Sequence, residues 1–166
     1  MAIPSHAIES LRAYAAARQQ LLAIMNRAPS CRDPLAEFAE WIVAYLLDAE
    51  PAVSRVQRGY DLVRQDGRRV QVKYLANACP DRWVNEHTIS CSDEIDQYAL
   101  VIFEGFALSA VLVFDRSSLA RIGQRLGKRH ANQHCMLQLT RRNFLAIKES
   151  PEEFAALGVT TTVLSA

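Results

Sequence analysis

Hydrophobic positions along this chain recur first at helical spacing, then at every second residue, then in unbroken runs. From about Ser5 to Arg27, the residues Ile8, Leu11, Ala15, Leu22 and Met25 lie on or near one helical face, and Pro29 stops the run. A second helix starts near Asp33 as N-cap with Pro34 in its first position. Phe38, Trp41, Ile42, Tyr45 and Leu46 form its apolar stripe up to about Ala49. Period two follows. Val53 to Gln57 and Tyr60 to Arg64 read as short strands, Asp66-Gly67 as a turn, and Arg69 to Leu75 as the returning strand. Asn77 to Asp93 is irregular and polar. Tyr98 to Glu104 and Phe106 to Phe114 are apolar runs parted by Gly105, as expected of central strands buried on both sides. Ser117 to Leu126 reads as an amphipathic helix closed by Gly127, and Met136 to Leu139 as a short strand. Thr140 caps a helix through Ile147, and Pro151 opens a last helical turn.

This order predicts an α/β fold, a central mixed β-sheet flanked by α-helices. With 166 residues the chain is expected to form one domain: an N-terminal helix (1–28), a core (33–114) and basic C-terminal helices (115–166). The first helix either covers the sheet or pairs with its counterpart in a second chain. No apolar run approaches the roughly 20 residues that span a bilayer, so no membrane is expected. The N-terminal Met-Ala-Ile-Pro-Ser-His lacks the order of a secretion signal, and four widely spaced cysteines suggest reduced thiols in a cytoplasm. The net charge of +1 hides an asymmetry. Eight bases and one acid between Asp115 and Lys148 make that segment +7 and leave −6 on the remainder. A basic segment of this kind is compatible with a polyanion partner, and equally with solvated helix faces.

Chemistry concentrates between Tyr60 and Tyr74. Asp61 and Lys73 sit in strands that otherwise favour apolar residues, and charges are seldom buried unpaired. Gln71 lies two residues before Lys73, so both point to one face. Register decides whether Asp61 joins them. A two-residue turn pairs Asp61 with Val72 and turns the carboxylate away, whereas a three-residue loop, Gln65-Asp66-Gly67, pairs it with Gln71. Both turns are common; the chemistry favours the second. A carboxylate and an amide oxygen are hard ligands suited to Mg²⁺, and a neighbouring ammonium orients water or holds charge in a phosphoryl transition state. One carboxylate is little charge for Mg²⁺. The preceding helix offers Glu37 or Glu40, of which Glu40, next to the apolar run Trp41-Ile42-Val43, is the expected ligand. The plain alternative is a cross-strand ion pair between Asp61 and Lys73.

Glu40, Asp61, the triplet Gln71-Val72-Lys73 and the strand opening Asp96-Gln97-Tyr98 together resemble the PD-(D/E)xK nuclease superfamily, the restriction-endonuclease-like fold, over roughly Asp33 to Phe114. The triplet looks like its QxK variant, and Tyr60 stands where a proline is expected. The resemblance implies metal binding by Glu40, Asp61, Gln71 and the Val72 carbonyl, with Lys73 as the catalytic lysine. It implies a Mg²⁺-dependent endodeoxyribonuclease, with Mn²⁺ as a substitute, and DNA as partner. A restriction-type enzyme is the leading role. A repair or junction nuclease and an inactive DNA-binding module are the alternatives. A homodimer is expected from the symmetry of duplex sites.

Candidate DNA contacts are Arg82, Trp83 and Asn85 in the loop after the catalytic strand, Lys128, Arg129 and His130 in a basic loop, and Arg141 and Arg142 behind Thr140. Each has a bland reading beside it; Trp83, for one, is at least as easily a core residue. His130, His134 and Cys135 have only a superficial look of a zinc site.

Overall fold

The protein was described as a computed structural model covering residues 5–27, 34–52, 59–90, 92–105, 107–127 and 136–163. Helix α1 (Ser5–Ile24) and helix α2 (Pro34–Leu47) precede strands β1 (Ala49–Pro51), β2 (Leu62–Arg64), β3 (Arg69–Asn77), β4 (His87–Ser90), β5 (Gln97–Glu104) and β6 (Ala107–Asp115). A 3₁₀ turn (Arg116–Ser118), α3 (Leu119–Arg125), β7 (Met136–Leu139), α4 (Arg141–Glu149), α5 (Pro151–Ala156) and β8 (Val159–Val163) complete the order. Six strands form one mixed sheet, β1-β2-β3-β5-β6-β8, in which only β3 and β5 run parallel. The α/β class with helices flanking a mixed sheet is thus as expected.

Strands β5 and β6 fill the centre because their side chains are apolar on both faces; from Gln97 to Phe103 every residue is buried. Alternation along β3 divides the two faces. Val70 and Val72 join Ala39 and Val43 of α2, with Val101, Phe103 and Val111, in one apolar layer. Leu75 belongs to the opposite layer with Tyr98, Leu100, Ile102, Leu112, Phe114 and Phe144. Gln71, Lys73 and Asn77 share the face of Leu75, because side chains alternate along a strand. That face is covered by α3, α4, α5 and the small sheet of β4 and β7. Thr140 caps α4 through a reciprocal pair of bonds with Asn143, as the sequence suggested.

Several expectations need correction. The polar stretch after Asn77 contains a strand, β4, whose four residues gain their ladder only from β7, some fifty residues on. One apolar residue, Ile89, gives too short an alternation to be recognised locally. The chain past the last helix pairs with β6 as β8, a Thr-rich edge strand. Helix α2 ends before Asp48, whose φ of 49° is left-handed, and Ala49 begins β1 instead. Helix α1 does not cover the sheet. Its Leu22 and Met25 pack with Leu21 on Phe38 of α2, while Tyr14 and Ile24 stay exposed. The expected strand from Val53 to Gln57 lies outside the described residues. No helix among the described residues is long and apolar enough to cross a membrane.

Candidate active site on the β2–β3 edge

A three-residue loop, 65–67, joins β2 to β3. The Arg64 N–H donates to the Arg68 carbonyl at 2.9 Å, and the Gly67 N–H donates to that of Arg64 at 2.9 Å. Gly67 holds φ +82°, the left-handed conformation that glycine takes without a Cβ clash. Leu62 consequently opposes Val70, which brings Asp61 level with Gln71. The ladder stops there. The Asp61 N–H donates to the Val70 carbonyl (2.9 Å), one residue out of register, and the strands part. The Val72 N–H has then lost its strand partner, and the Asp61 carboxylate replaces it: Oδ2 accepts from Val72 N–H at 2.7 Å and from Gln71 Nε2 at 2.6 Å. Since a carboxylate only accepts, the amide must present its NH₂, leaving Gln71 Oε1 turned away. Among the described residues neither that oxygen nor Asp61 Oδ1 has a hydrogen-bond partner.

Lys73 stands two residues further along the same face, exposed, and forms no ion pair among the described residues. A plain Asp61–Lys73 cross-strand pair is therefore not what the structure contains. Gln71 lies beside Tyr98 in the parallel β3–β5 register. The Tyr98 hydroxyl and His87 Nε2 are 2.6 Å apart, with ring centroids at 5.9 Å. Burial, with the Lys73 ammonium second, pushes the His87 pKa below its ordinary 6.5. His87 and Tyr98 thus join the cluster, although sequence reasoning passed over both. Tyr98 was read as one more core residue of an apolar strand, and His87 as part of a loop. The available clue was the placement of each in a segment adjoining the Gln71-Lys73 strand.

Glu40 is not gathered onto this face. Helix α2 packs against the opposite layer through Ala39 and Val43, and Glu40 stays part-buried on its flank. Glu37 is engaged by Arg27 at 3.0 Å. No group of three or more His, Cys, Asp or Glu placed to hold a metal occurs among the described residues. The oxygens that converge are one carboxylate and a backbone carbonyl, and the Gln71 amide oxygen joins them only when the amide rotates off the carboxylate. A residue's N–H and C=O project to the same side of its strand, so the Val72 carbonyl faces the gap that the Asp61 carboxylate occupies. Such a hard, oxygen-only set fits a small cation that keeps several waters.

The expected DNA contacts divide. Trp83 is a core residue: it stacks on Phe144 (5.3 Å between centroids) and donates to Glu104 Oε1 at 2.9 Å. Asn85 donates to the Ala76 carbonyl, and its N–H and that of Val84 both bond to Asn77 Oδ1. Arg82 is exposed. Arg141 donates to the Pro80 carbonyl at 2.7 Å and lies 3.7 Å from Asp81, whereas Arg142 is exposed and makes no ion pair among the described residues. Arg116 and Arg125 pair with Asp93 and Glu153, so the basic segment is partly neutralised by acids from elsewhere in the fold. Lys128, Arg129 and His130, like His134 and Cys135, lie outside the described residues. Against known protein families and curated proteins, the chain matches no family model and shows no significant similarity to any curated sequence.

Proposed function

We propose that the protein is a metal-dependent deoxyribonuclease hydrolysing DNA phosphodiester bonds in the manner of a restriction endonuclease. The observation that carries the reading is the Asp61 carboxylate drawn to 2.6 Å from the Gln71 amide, on a strand edge where Lys73 stands without an ion pair. An ordinary structural ion pair would have used the lysine. Here the lysine is kept open beside an acid whose second oxygen is also open.

Bound Mg²⁺ supplies a water of lowered pKa and polarises a phosphoryl oxygen. The chain's residues do the rest. Asp61 offers Oδ1, the Val72 carbonyl faces the same gap, and Gln71 presents Oε1 once its amide rotates off the carboxylate. Lys73 places a full positive charge where negative charge grows on the non-bridging oxygens. As water oxygen bonds to phosphorus and gives its proton to solvent, the ester P–O bond breaks, the leaving oxygen takes a proton from solvent, and that ammonium offsets the added charge. The cytoplasmic setting, with Cys79 an exposed free thiol, and a two-fold dimer on a symmetric duplex belong to the same proposal.

One observation favours a second reading. Among the described residues one carboxylate, that of Asp61, bonds within the cluster, and the helix of Glu40 packs on the opposite layer, which suits a DNA-binding module of the same fold without catalysis. Plasmid incubation with Mg²⁺ or Mn²⁺ separates the two. Cleavage that disappears in Asp61→Ala and Lys73→Ala proteins supports the nuclease, and discrete fragments support the restriction role over structure-dependent nicking by a repair enzyme. Salt-sensitive binding with intact plasmid under both metals leaves the binding module.

A further inference from the structure

Resting on the reading of a DNA-directed site, we infer that His87 and Lys73 form a two-donor clamp on one phosphodiester group, with His87 oriented for that contact by Tyr98. Three observations lead there. First, His87 Nε2 meets the buried Tyr98 hydroxyl at 2.6 Å, and a phenol is the better donor of the two. Which of the two donates depends on the tautomer; the clamp takes the phenol as donor and the ring proton on Nδ1. Second, Nδ1 has no partner among the described residues and is not sealed from water. Third, His87 sits on Tyr98, which lies beside Gln71 in the β3–β5 register, two residues before Lys73 on the same face of the sheet. Lys73 is itself without an ion pair among the described residues.

Two donors on one face suit an anion with several oxygens. A neutral imidazole beside a lysine avoids the repulsion that a second cation would bring, while adding a directional N–H to a mobile point charge. Tyr98 is a positioning residue: its phenol fixes both the ring plane and the tautomer. It is seated by its pairing with Gln71 in the β3–β5 ladder, so the clamp is indexed to the carboxylate–amide pair by one strand register.

Metal-free binding of a fluorescent DNA duplex, in EDTA at fixed low salt, tests the clamp without asking for cleavage. His87→Leu should weaken binding by about tenfold, as expected for a lost bond to a charged group. His87→Asn, whose amide NH₂ can stand near the Nδ1 position, should recover most of the affinity. Tyr98→Phe should fall between them, and Lys73→Met combined with His87→Leu should cost less than the two singles together. A folded His87→Leu protein, confirmed by circular dichroism, that binds the duplex as tightly as wild type overturns the clamp, as does a His87→Asn protein no better than His87→Leu. Should His87 govern affinity while no plasmid is cut, the nuclease reading fails and the clamp stands; should cleavage proceed with wild-type KM in His87→Leu, the clamp alone fails.

Discussion

Two polar clusters sit on the same face of β3, one at Asn77 and one at Gln71 and Lys73. Asn77 is 1% exposed, and both polar atoms of its side-chain amide are bonded: Oδ1 accepts from the N–H groups of Val84 and Asn85, and Nδ2 donates to the Asn85 carbonyl at 3.2 Å. It is the peg on which the loop after β3 hangs. Four residues earlier, the same face carries an acid oxygen, an amide oxygen, an ammonium and an imidazole nitrogen that the described residues leave without partners. Protein interiors satisfy their polar groups, so the first pattern is what a structural role produces. The groups of the second cluster are half-buried or exposed, so they stay open to water and to a ligand of the kind proposed above.

The sharpest way to break that contrast is to remove one group from each cluster and follow stability and activity separately. Lys73→Ala should leave the melting temperature almost unchanged, since the side chain is exposed and unpaired, while Mg²⁺-dependent cleavage falls on the order of 10²–10³-fold. A Lys73→Ala protein that cuts normally removes the distinction. Asn77→Ala should do the reverse. Losing three bonds at a buried side chain should cost about 2–3 kcal/mol, read from the urea midpoint at constant slope. If Asn77→Ala unfolds like wild type, full satisfaction is no mark of structural work here.

Much of this was readable from local pattern. The central strands announced themselves through unbroken apolar runs, and the Thr140 cap through its sequence context. The turn could be seen but its register could not, because two- and three-residue loops at Asp66-Gly67 use the same residues. Which loop forms is settled by the whole sheet, where Leu62 and Val70 must both reach the α2 layer. The layer on which the helix of Glu40 packs was out of reach for a related reason. Helical periodicity says which residues share a helix face, not which side of the sheet the helix will cover. Between a DNA contact and a core position Trp83 was left open, and Arg141 between a phosphate contact and solvent; Phe144 with Glu104, and Pro80 with Asp81, engage them from elements far along the chain. Strand β4, and with it His87, escaped notice because its partner is β7.

Gln71→Glu sharpens the contrast within the open cluster. Replacing the amide by a second carboxylate exchanges a 2.6 Å hydrogen bond for like-charge repulsion, so the metal-free protein should lose about 1 kcal/mol. Mg²⁺ should then raise the melting temperature of the variant by more than that of wild type, because a cation bound only by the folded chain stabilises it. Equal responses to Mg²⁺ would count against a cation between Asp61 and residue 71. Gly67→Ala probes the loop that sets the register. Nothing lies within 4 Å of the added Cβ, so the cost, about 1 kcal/mol, comes from φ +82° alone. A denaturation midpoint equal to wild type would show that the loop relaxes freely, and that it does not hold Asp61 against Gln71.

The smallest effect expected is also the most local, the pH dependence contributed by His87. Its pKa in the folded chain lies below 6.5 because burial, and then Lys73, disfavour the charged ring. The unfolded chain therefore takes up a proton first as pH falls. Stability is full above about 6.5, declines as the pH drops below that value, and stops declining once the folded imidazole is protonated as well. Asp66 and Glu153, whose pKa values are lowered from 3.8 and 4.5, act further into acid, and because the chain has four histidines the share of His87 between about pH 7.5 and 5 is read as the difference from His87→Leu. The slope, not the absolute stability, is the quantity to compare, since His87→Leu also removes the bond to Tyr98. That variant should flatten the slope, and Lys73→Met should flatten it partly by removing the second cause. A slope indifferent to Lys73 would mean that burial alone sets the imidazole's charge, and that the two donors do not sense each other across the face on which they are placed.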